Sequence, residues 1–333
     1  MFVVNSYVLA VVLCVVTMLC WGSWGNTQKL ATKSWRYELF YWDYVIGIVV
    51  FSLLMGFTLG SHGEVGRSFV ADLQQVSPTT VAWIAMGGII FNLSNILLSA
   101  SVSLAGMSVA FPVGVGLALV LGVIQTYILQ SKGNPVLLFL GVAFVVVAIV
   151  VNGMASARMR QGSSGSRKGI GLAVVAGVLM SCFYYFVAKG MDLDNFEHPA
   201  AGLATPYTAF FIFAMGIFLS NFLWGTIAMR HPVEGSPVGY GAYFKGSWRL
   251  HGVGMLGGCI WGLGTLLSYI CAGKAGAAVS YALGQGAPMV AAAWGVFIWR
   301  EFKGGGKTVN ALLTMMFASF ILGLALIVVA GGS

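Results

Sequence analysis

The sequence predicts an all-α polytopic membrane protein with ten transmembrane helices, arranged as two inverted five-helix repeats. Three observations support this fold: the composition, ten long apolar runs, and similarity between the two halves. Hydrophobic residues make up 59% of the 333 residues and charged residues only 8%, whereas soluble domains carry roughly 25% charged residues. A chain this apolar cannot bury its side chains and keep a wettable surface, so lipid must cover most of it.

The ten apolar runs each approach the length of about 20 residues that spans a bilayer as a helix. They are continuously apolar and do not alternate, which favours helices over β-strands. No basic segment precedes the first run, so we expect a transmembrane helix there instead of a cleaved signal peptide. The runs lie near residues 6–25, 41–60, 80–101, 107–129, 135–155, 169–188, 206–228, 252–273, 277–299 and 308–330.

The basic residues are unevenly divided between the two sides of the predicted bundle. Thirteen of the 17 Lys and Arg residues fall in the loops after odd-numbered spans, so this side is predicted to face the cytoplasm. Ten spans then place both termini on the extracytoplasmic side. The opposite side carries Arg67, Lys132, Lys189 and Lys274.

The two halves of the chain resemble each other. Residues 1–156 and 169–333 hold five spans each, and a basic Gly/Ser-rich linker at 157–168 joins them. Without gaps, residues 87–116 share ten of thirty positions with residues 257–286. Because each half has an odd number of spans, the second half must be inverted, as in many secondary transporters.

Glycine and proline cluster at matching places in spans 4 and 9. In inverted-repeat transporters, helices interrupted near the middle of the membrane frame the solute site. Close packing through small residues is the alternative interpretation. The predicted helix breaks or hinges are Pro112, Gly114 and Gly116 in span 4, and Gly284, Gly286 and Pro288 in span 9.

Several polar and aromatic residues lie inside the predicted spans. Amide groups beside flat aromatic side chains suit an uncharged solute that is rich in hydroxyl or amide groups. The alternatives are interhelical hydrogen bonds for the Asn residues and interfacial anchoring for the Trp residues. The predicted substrate-binding residues are Trp24, Asn92, Asn95, Trp261, Thr265, Tyr281 and Gln285.

Two acids, Glu38 and Asp43, lie where the chain enters span 2. A partly buried carboxyl group can load and release protons near neutral pH, so both acids, Asp43 above all, are predicted to couple protons. The alternative for Asp43 is an interfacial ion pair with Lys29, Lys33 or Arg36. The four His residues fall in predicted loops without metal-ligand spacing and receive no role: His62, His198, His231 and His251.

Other function classes lack support in the sequence. No nucleophile, base or metal-ligand set has workable spacing, so we expect no enzyme activity, catalytic residue, metal or cofactor. The scattered basic residues do not form a nucleic-acid-binding patch. The string GGGKT at 304–308 has Glu301 where a phosphate-binding loop needs Gly, so transport must be passive or driven by a gradient. A non-transporting receptor would not need paired interrupted helices.

Three strings resemble motifs of the drug/metabolite transporter superfamily, and more narrowly of its ureide permease and glucose/ribose porter branch. They are CWGSWG (20–25), YWDYVIG (41–47) and WGVFIWREFKG (294–304). The repeats around NLSN…LAGMS and GLGT…KAGAA are also similar to that branch. Asp43 falls on the acid of its Tyr-x-Asp-Tyr motif, and Glu301 falls on the acid that closes span 9.

The resemblance implies proton-linked uptake of a small polar solute by alternating access. Plant members of the branch carry allantoin and nucleobases, and bacterial members are associated with sugars. Thr265 stands where the ureide pattern has Asn, and the loops are short, so a sugar symporter of the bacterial inner membrane is expected. A ureide or nucleobase permease and a drug or metabolite exporter are the alternatives. The expected partners are the solute, H⁺ and membrane lipid, and a homodimer is left open.

Overall fold

The computed structural model describes residues 1–31, 34–105, 107–159, 167–233 and 235–332. Most of the predicted linker, residues 160–166, lies outside the described residues, as does Lys33. Residues 157–159 belong to the preceding helix, and residues 167–168 begin the next one.

The described residues are almost entirely helical. Ten segments in them are long and apolar enough to cross a membrane, which confirms the predicted ten spans. The helices are α1 (Tyr7–Ser23), α2 (Gly25–Ala31), α3 (Tyr37–Phe57), α4 (Phe69–Gln75), α5 (Pro78–Ala105), α6 (Met107–Leu129), α7 (Pro135–Met159), α8 (Arg167–Lys189), α9 (Pro206–Arg230), α10 (Tyr240–Tyr243), α11 (Trp248–Ala275), α12 (Ala277–Gly284), α13 (Ala287–Ala293) and α14 (Gly306–Gly332), with a π-helical turn (Trp294–Ile298) after α13.

Span 4 is not interrupted in the structure, which corrects the prediction for that span. Helix α6 continues through Pro112, Gly114 and Gly116. Pro112 lies near the start of α6, so its missing N–H removes one helical hydrogen bond without ending the helix. Gly114 instead permits close packing, because an added Cβ would lie 2.8 Å from a methyl group of Leu98.

Span 9, in contrast, is divided into short pieces. Helix α12 ends at Gly284, and α13 begins at Ala287 after a turn at residues 285–286. The N–H of Gly286 donates to the carbonyl of Leu283 over 3.0 Å. Pro288 occupies the first turn of α13, where its missing N–H costs little. The discontinuity therefore lies at Gln285 and Gly286, between two helices of about two turns each.

Helix packing follows one pattern twice. Helix α5 packs on α8 and α9, and α11 packs on α1 and α3 in the same way. Helix α6 packs on α7 and α8, while α12 and α13 pack on α14 and α1. Helices α3 and α9 contact each other, as do α7 and α14. When spans 1–5 are exchanged with spans 6–10, each of these contacting pairs becomes a pair that is also in contact. This pattern is consistent with two inverted repeats that interlock.

Glycines allow the closest of these approaches. Helices α5 and α9, and likewise α3 and α11, touch through backbone atoms, because a Cβ added at four glycines would overlap a carbonyl oxygen of the opposite helix. The contacts also correspond between the two halves of the chain. They are Gly88 with Phe213, Gly216 with Ala85, Gly258 with Tyr44, and Gly47 with Met255.

We expect Gly258→Ala to lower stability by about 1–3 kcal/mol, because the methyl group overlaps the carbonyl of Tyr44 and forces α11 away from α3. Gly252→Ala is the matched control, since Gly252 lies on the same helix and faces open space. That change should be neutral or stabilising by up to about 1 kcal/mol. The fraction of each variant that still elutes in its original size-exclusion peak after heating measures its stability. Equal midpoint temperatures for the two variants would contradict the requirement for glycine at position 258.

Candidate functional site

Asp43 is buried near the start of α3 and has three hydrogen-bond partners. Its side chain is 1% exposed. The indole N–H of Trp35 donates to Oδ2 over 3.1 Å, and the hydroxyl of Tyr243 donates to Oδ1 over 2.6 Å. Nδ1 of His251 lies 2.7 Å from the same Oδ1. A buried carboxylate is costly unless it is paired and hydrogen-bonded, and these three partners meet that requirement.

The partners of Asp43 also pack on one another. The rings of Trp35 and Tyr243 lie 5.2 Å and 4.8 Å from the imidazole of His251. Burial, followed by the hydrogen bond to Asp43, raises the pKa of the Tyr243 hydroxyl, so this group stays protonated and donates. Within this cluster a single hydrogen bond joins Oδ1 of Asp43 to Nδ1 of His251.

The prediction that placed His251 in a loop is wrong. Helix α11 begins at Trp248, earlier than the predicted span, so His251 lies in its first turn and not in a loop. Ser247 is the N-cap, and its side chain accepts a hydrogen bond from the N–H of Leu250. This capping residue is the signal in the sequence that could have placed His251 on the helix.

Glu38 has a different partner from Asp43. Its carboxylate pairs with Arg36 over 2.8 Å, and its side chain is 13% exposed. Lys29 pairs with Glu301. The alternative interpretation expected Asp43 to pair with Lys29, Lys33 or Arg36, whereas in the described residues its partner is His251.

The predicted amide residues of α5 meet a tyrosine of α3. The hydroxyl of Tyr41 donates to Oδ1 of Asn92 over 3.0 Å and accepts from Nδ2 of Asn95 over 3.2 Å. Nδ2 of Asn92 donates to the carbonyl of Ile217 and to the hydroxyl of Ser220 on α9. A spacing of three residues puts both amides on one face of α5, so one hydroxyl can join them.

An aromatic wall continues from this amide cluster. The rings of Tyr41 and Tyr44 are stacked, with centroids 5.5 Å apart. Tyr44 then contacts Trp24 over 4.8 Å and Trp261 over 6.1 Å. Trp261 is stacked on Trp21 over 6.2 Å. The structure thus brings the predicted Trp24 and Trp261 together around Tyr44, which the sequence analysis did not single out although it lies in the YWDY string.

The remaining predicted substrate residues lie farther along the interior. Thr265 accepts a hydrogen bond from the indole of Trp21 over 3.1 Å. Tyr281 packs against Tyr184 over 5.1 Å, and its hydroxyl donates to a carbonyl of α6. Gln285 is 9% exposed at the turn between α12 and α13. None of the contacts described for Tyr281 or Gln285 joins either residue to the Tyr41 amide cluster.

A few buried polar atoms have no hydrogen-bond partner among the described residues. Such groups are rare in native interiors and call for an explanation, for example a ligand. Asn221 follows Ser220 on α9, and neither its amide nitrogen nor its amide oxygen is satisfied. The hydroxyl of Tyr44, whose ring contacts Trp24 and Trp261, is also unsatisfied. The full set is Tyr44, Asn221, Trp224 and Tyr269.

The cytoplasmic end, as assigned from the basic residues, is closed by contacts between span 1 and the turn after span 9. Lys29 pairs with Glu301 and lies 4.3 Å from the ring of Trp299. The indole of Trp299 donates to Asn26 over 2.6 Å. The indole of Trp294 donates to Ser23 over 2.9 Å. We call this set of contacts the cytoplasmic gate.

The opposite end is closed by the loop after span 4. The amide of Gln130 donates to Asp194 over 2.8 Å and accepts from the N–H of Ala277 over 3.0 Å. The ammonium of Lys132 donates to the carbonyl of Gly273 over 2.7 Å, and burial lowers the pKa of that ammonium. We call these contacts the extracytoplasmic gate. Both sets of contacts are present in the same structure.

Comparisons with known proteins agree on one family. The family model described as ureide permease matches residues 40–164 and 157–330. Ureide permease 1 of Arabidopsis thaliana is 22% identical, with all of this chain and 99% of that protein covered, and ureide permease 2 is 23% identical over the same shares. A solved crystal structure, described only as that of a protein, has a TM-score of 0.61 at 16% identity and covers 95% of this chain and 96% of its own. That last likeness concerns the fold alone.

We expect opposite results from two tyrosine substitutions on α3. Tyr41→Phe should lower stability by about 1–3 kcal/mol, because it leaves the buried oxygen of Asn92 without its donor. Tyr44→Phe should leave stability unchanged or raise it, because the removed hydroxyl has no partner among the described residues. Thermal unfolding of both variants in the same detergent measures the difference. A larger loss for Tyr44→Phe would show that its hydroxyl is satisfied in the protein.

Proposed function

We propose that this chain, which belongs to the ureide permease family, takes up an uncharged solute with adjacent N–H and C=O groups, of the ureide or nucleobase class. The observation that carries the proposal is the pair of unsatisfied buried groups, the Tyr44 hydroxyl and the Asn221 amide. A ureide replaces the sugar that the sequence favoured, because relatives matched along the whole chain are named ureide permeases. Thr265 stands where the ureide pattern has Asn, and its hydroxyl accepts a hydrogen bond from the indole of Trp21.

Recognition of the solute would rest on complementary hydrogen bonding. The Asn221 amide offers one donor group and one acceptor, and a solute with neighbouring N–H and C=O groups can pair with both. The flat rings of Trp24 and Trp261 suit a planar solute. Pairing a buried hydroxyl that was unsatisfied recovers about 1–3 kcal/mol. Solute binding would therefore stabilise the interior at the positions where it now lacks partners.

Asp43 and His251 are the proposed proton carrier. With one proton between them the pair is neutral overall, whether the proton lies on the carboxylate or on the imidazole. Loss of that proton would leave a net negative charge that is 1% exposed, beside Trp35 and the protonated Tyr243. A buried unpaired charge is unfavourable, so the deprotonated carrier should rearrange toward water. Proton occupancy would in this way bias which gate opens.

Alternating access follows from the two gates. The cytoplasmic gate joins span 1 to span 9, and the extracytoplasmic gate joins span 6 to span 4 through their following loops. An exchange of the two halves relates these pairs of spans, as the inverted-repeat plan of secondary transporters requires. We propose that one gate opens at a time, within the wider drug/metabolite transporter architecture. An exporter would use the same gates in the reverse order.

The direct test is uptake by proteoliposomes that contain the purified protein. Labelled allantoin, uracil, ribose and glucose are offered with and without an inward proton gradient. We expect saturable uptake of allantoin or uracil that the gradient stimulates. Uptake of ribose or glucose in their place would overturn the proposed solute class. Transport of none of the four, with efflux of other preloaded compounds, would favour the exporter.

Asp43→Asn should abolish stimulation by the gradient and reduce uptake to the level seen without it, because an amide cannot carry the proton. Exchange of internal for external solute should persist, since exchange needs no net proton movement. Glu38→Gln is the control on the same helix, because Glu38 pairs with Arg36 and not with His251. Stimulation that survives in Asp43→Asn would eliminate this acid as the carrier.

Charge reversal tests the cytoplasmic gate. Glu301→Lys should alter the uptake rate by up to about 5-fold, since a half-exposed ion pair contributes about 0.2–1 kcal/mol. The double variant Lys29→Glu/Glu301→Lys restores the opposite charges and should recover most of the rate. Failure of the double variant to recover would mean that Lys29 and Glu301 act independently, and not as a gate pair.

A further inference from the structure

A second site lies apart from the interior cluster, at the end of span 9. A pocket of about 330 Å³ opens there between the π-helical turn and α14. Its walls combine apolar side chains with two cations. The lining residues are Val296, Arg300, Phe302, Lys303, Asn310 and Leu313.

The backbone that leads into the pocket is strained. Arg300 has a φ of 53°, a conformation that a residue with a side chain rarely adopts. Two hydrogen bonds hold this reversal: the N–H of Trp299 donates to the carbonyl of Trp294, and the N–H of Glu301 donates to the carbonyl of Gly295, each over 2.9 Å. Strain of this kind persists only where the surrounding structure fixes it, and it is concentrated at functional sites.

The charge of the pocket is positive. Arg300 and Lys303 both line it, and Glu301, the acid between them, is bound by Lys29 in the cytoplasmic gate. The acid nearest in sequence is therefore already engaged with another partner. Two cations held at the edge of an apolar pocket suit a phosphate that carries an alkyl chain.

The position of the pocket indicates where that phosphate would come from. Phe297 and Ile298 precede it and are 67% and 61% exposed, as expected of side chains that face lipid. Arg300 follows them at the end of the span, at the depth where lipid headgroups begin. The excess of basic residues on this side places the pocket at the cytoplasmic leaflet, where anionic lipids create a negative surface potential.

We propose that this pocket binds an anionic phospholipid, with its phosphate on Arg300 and Lys303 and the start of an acyl chain against Val296, Phe302 and Leu313. The site adjoins Glu301 in sequence, so a bound lipid would contact the same turn that forms the cytoplasmic gate. Lipid binding in this pocket does not depend on which solute is transported, and the experiment measures lipid binding alone.

Native mass spectrometry of the detergent-solubilised protein tests the site. The protein is mixed with equal amounts of phosphatidylglycerol and phosphatidylcholine, and the retained lipid is counted. The wild type should retain phosphatidylglycerol preferentially. Arg300→Gln/Lys303→Gln should lower that retention by about fivefold for each cation removed.

The matched control is Lys245→Gln/Arg249→Gln, which removes one Lys and one Arg that are exposed on the same side but do not line the pocket. This control should keep wild-type retention. Equal retention of both lipids, or full retention by the Arg300/Lys303 variant, would overturn the proposal. Displacement of the lipid by soluble glycerol phosphate would show a site for free phosphate instead. If Arg300→Gln/Lys303→Gln does not elute as one species, the single substitutions Arg300→Gln and Lys303→Gln are tested in its place.

Discussion

Backbone contact between helices, made possible by glycine, is the constraint on which the rest of this structure depends. Because Gly258 lies against the carbonyl of Tyr44, α3 and α11 are close enough for His251 to reach Asp43. Because Gly88 lies against the carbonyl of Phe213, Asn92 on α5 can bond to α9 while it also bonds to α3. In lipid, helices gain no hydrophobic energy by associating, so such close packing supplies much of what holds them together. The polar clusters are therefore positioned by residues that have no side chain.

Tight packing also sets a strict rule for polar groups. In an interior that excludes water, each buried donor or acceptor needs a partner, and Asp43, Asn92 and Thr265 have theirs. The unsatisfied hydroxyl of Tyr44 and amide of Asn221 depart from that rule. A transporter must bind its solute without holding it too firmly. In the proposed function, these unsatisfied groups destabilise the empty protein and are satisfied when solute binds, which meets that need without a charged side chain.

How much of this could be predicted from the sequence depends on the range of each interaction. The spans follow from local composition, and the shared face of Asn92 and Asn95 follows from their spacing of three residues. The partnership of Asp43 with His251 spans 208 positions, so no local pattern could reveal it. Pro112 was predicted to break span 4, but α6 begins at Met107 and continues through it. The preference for a sugar rested on Thr265 and on the short loops, whereas the relatives are matched along the whole chain.

The cytoplasmic gate has a consequence for how this protein can be observed. Two of its ten tryptophans, Trp294 and Trp299, donate their indole N–H groups across the contact between span 9 and span 1. When the halves of the gate separate, these indoles exchange a protein partner for water, and their emission should shift to longer wavelength. The proposed opening would thus carry an intrinsic optical signal, which needs no attached dye and can be followed in the time course of a single turnover.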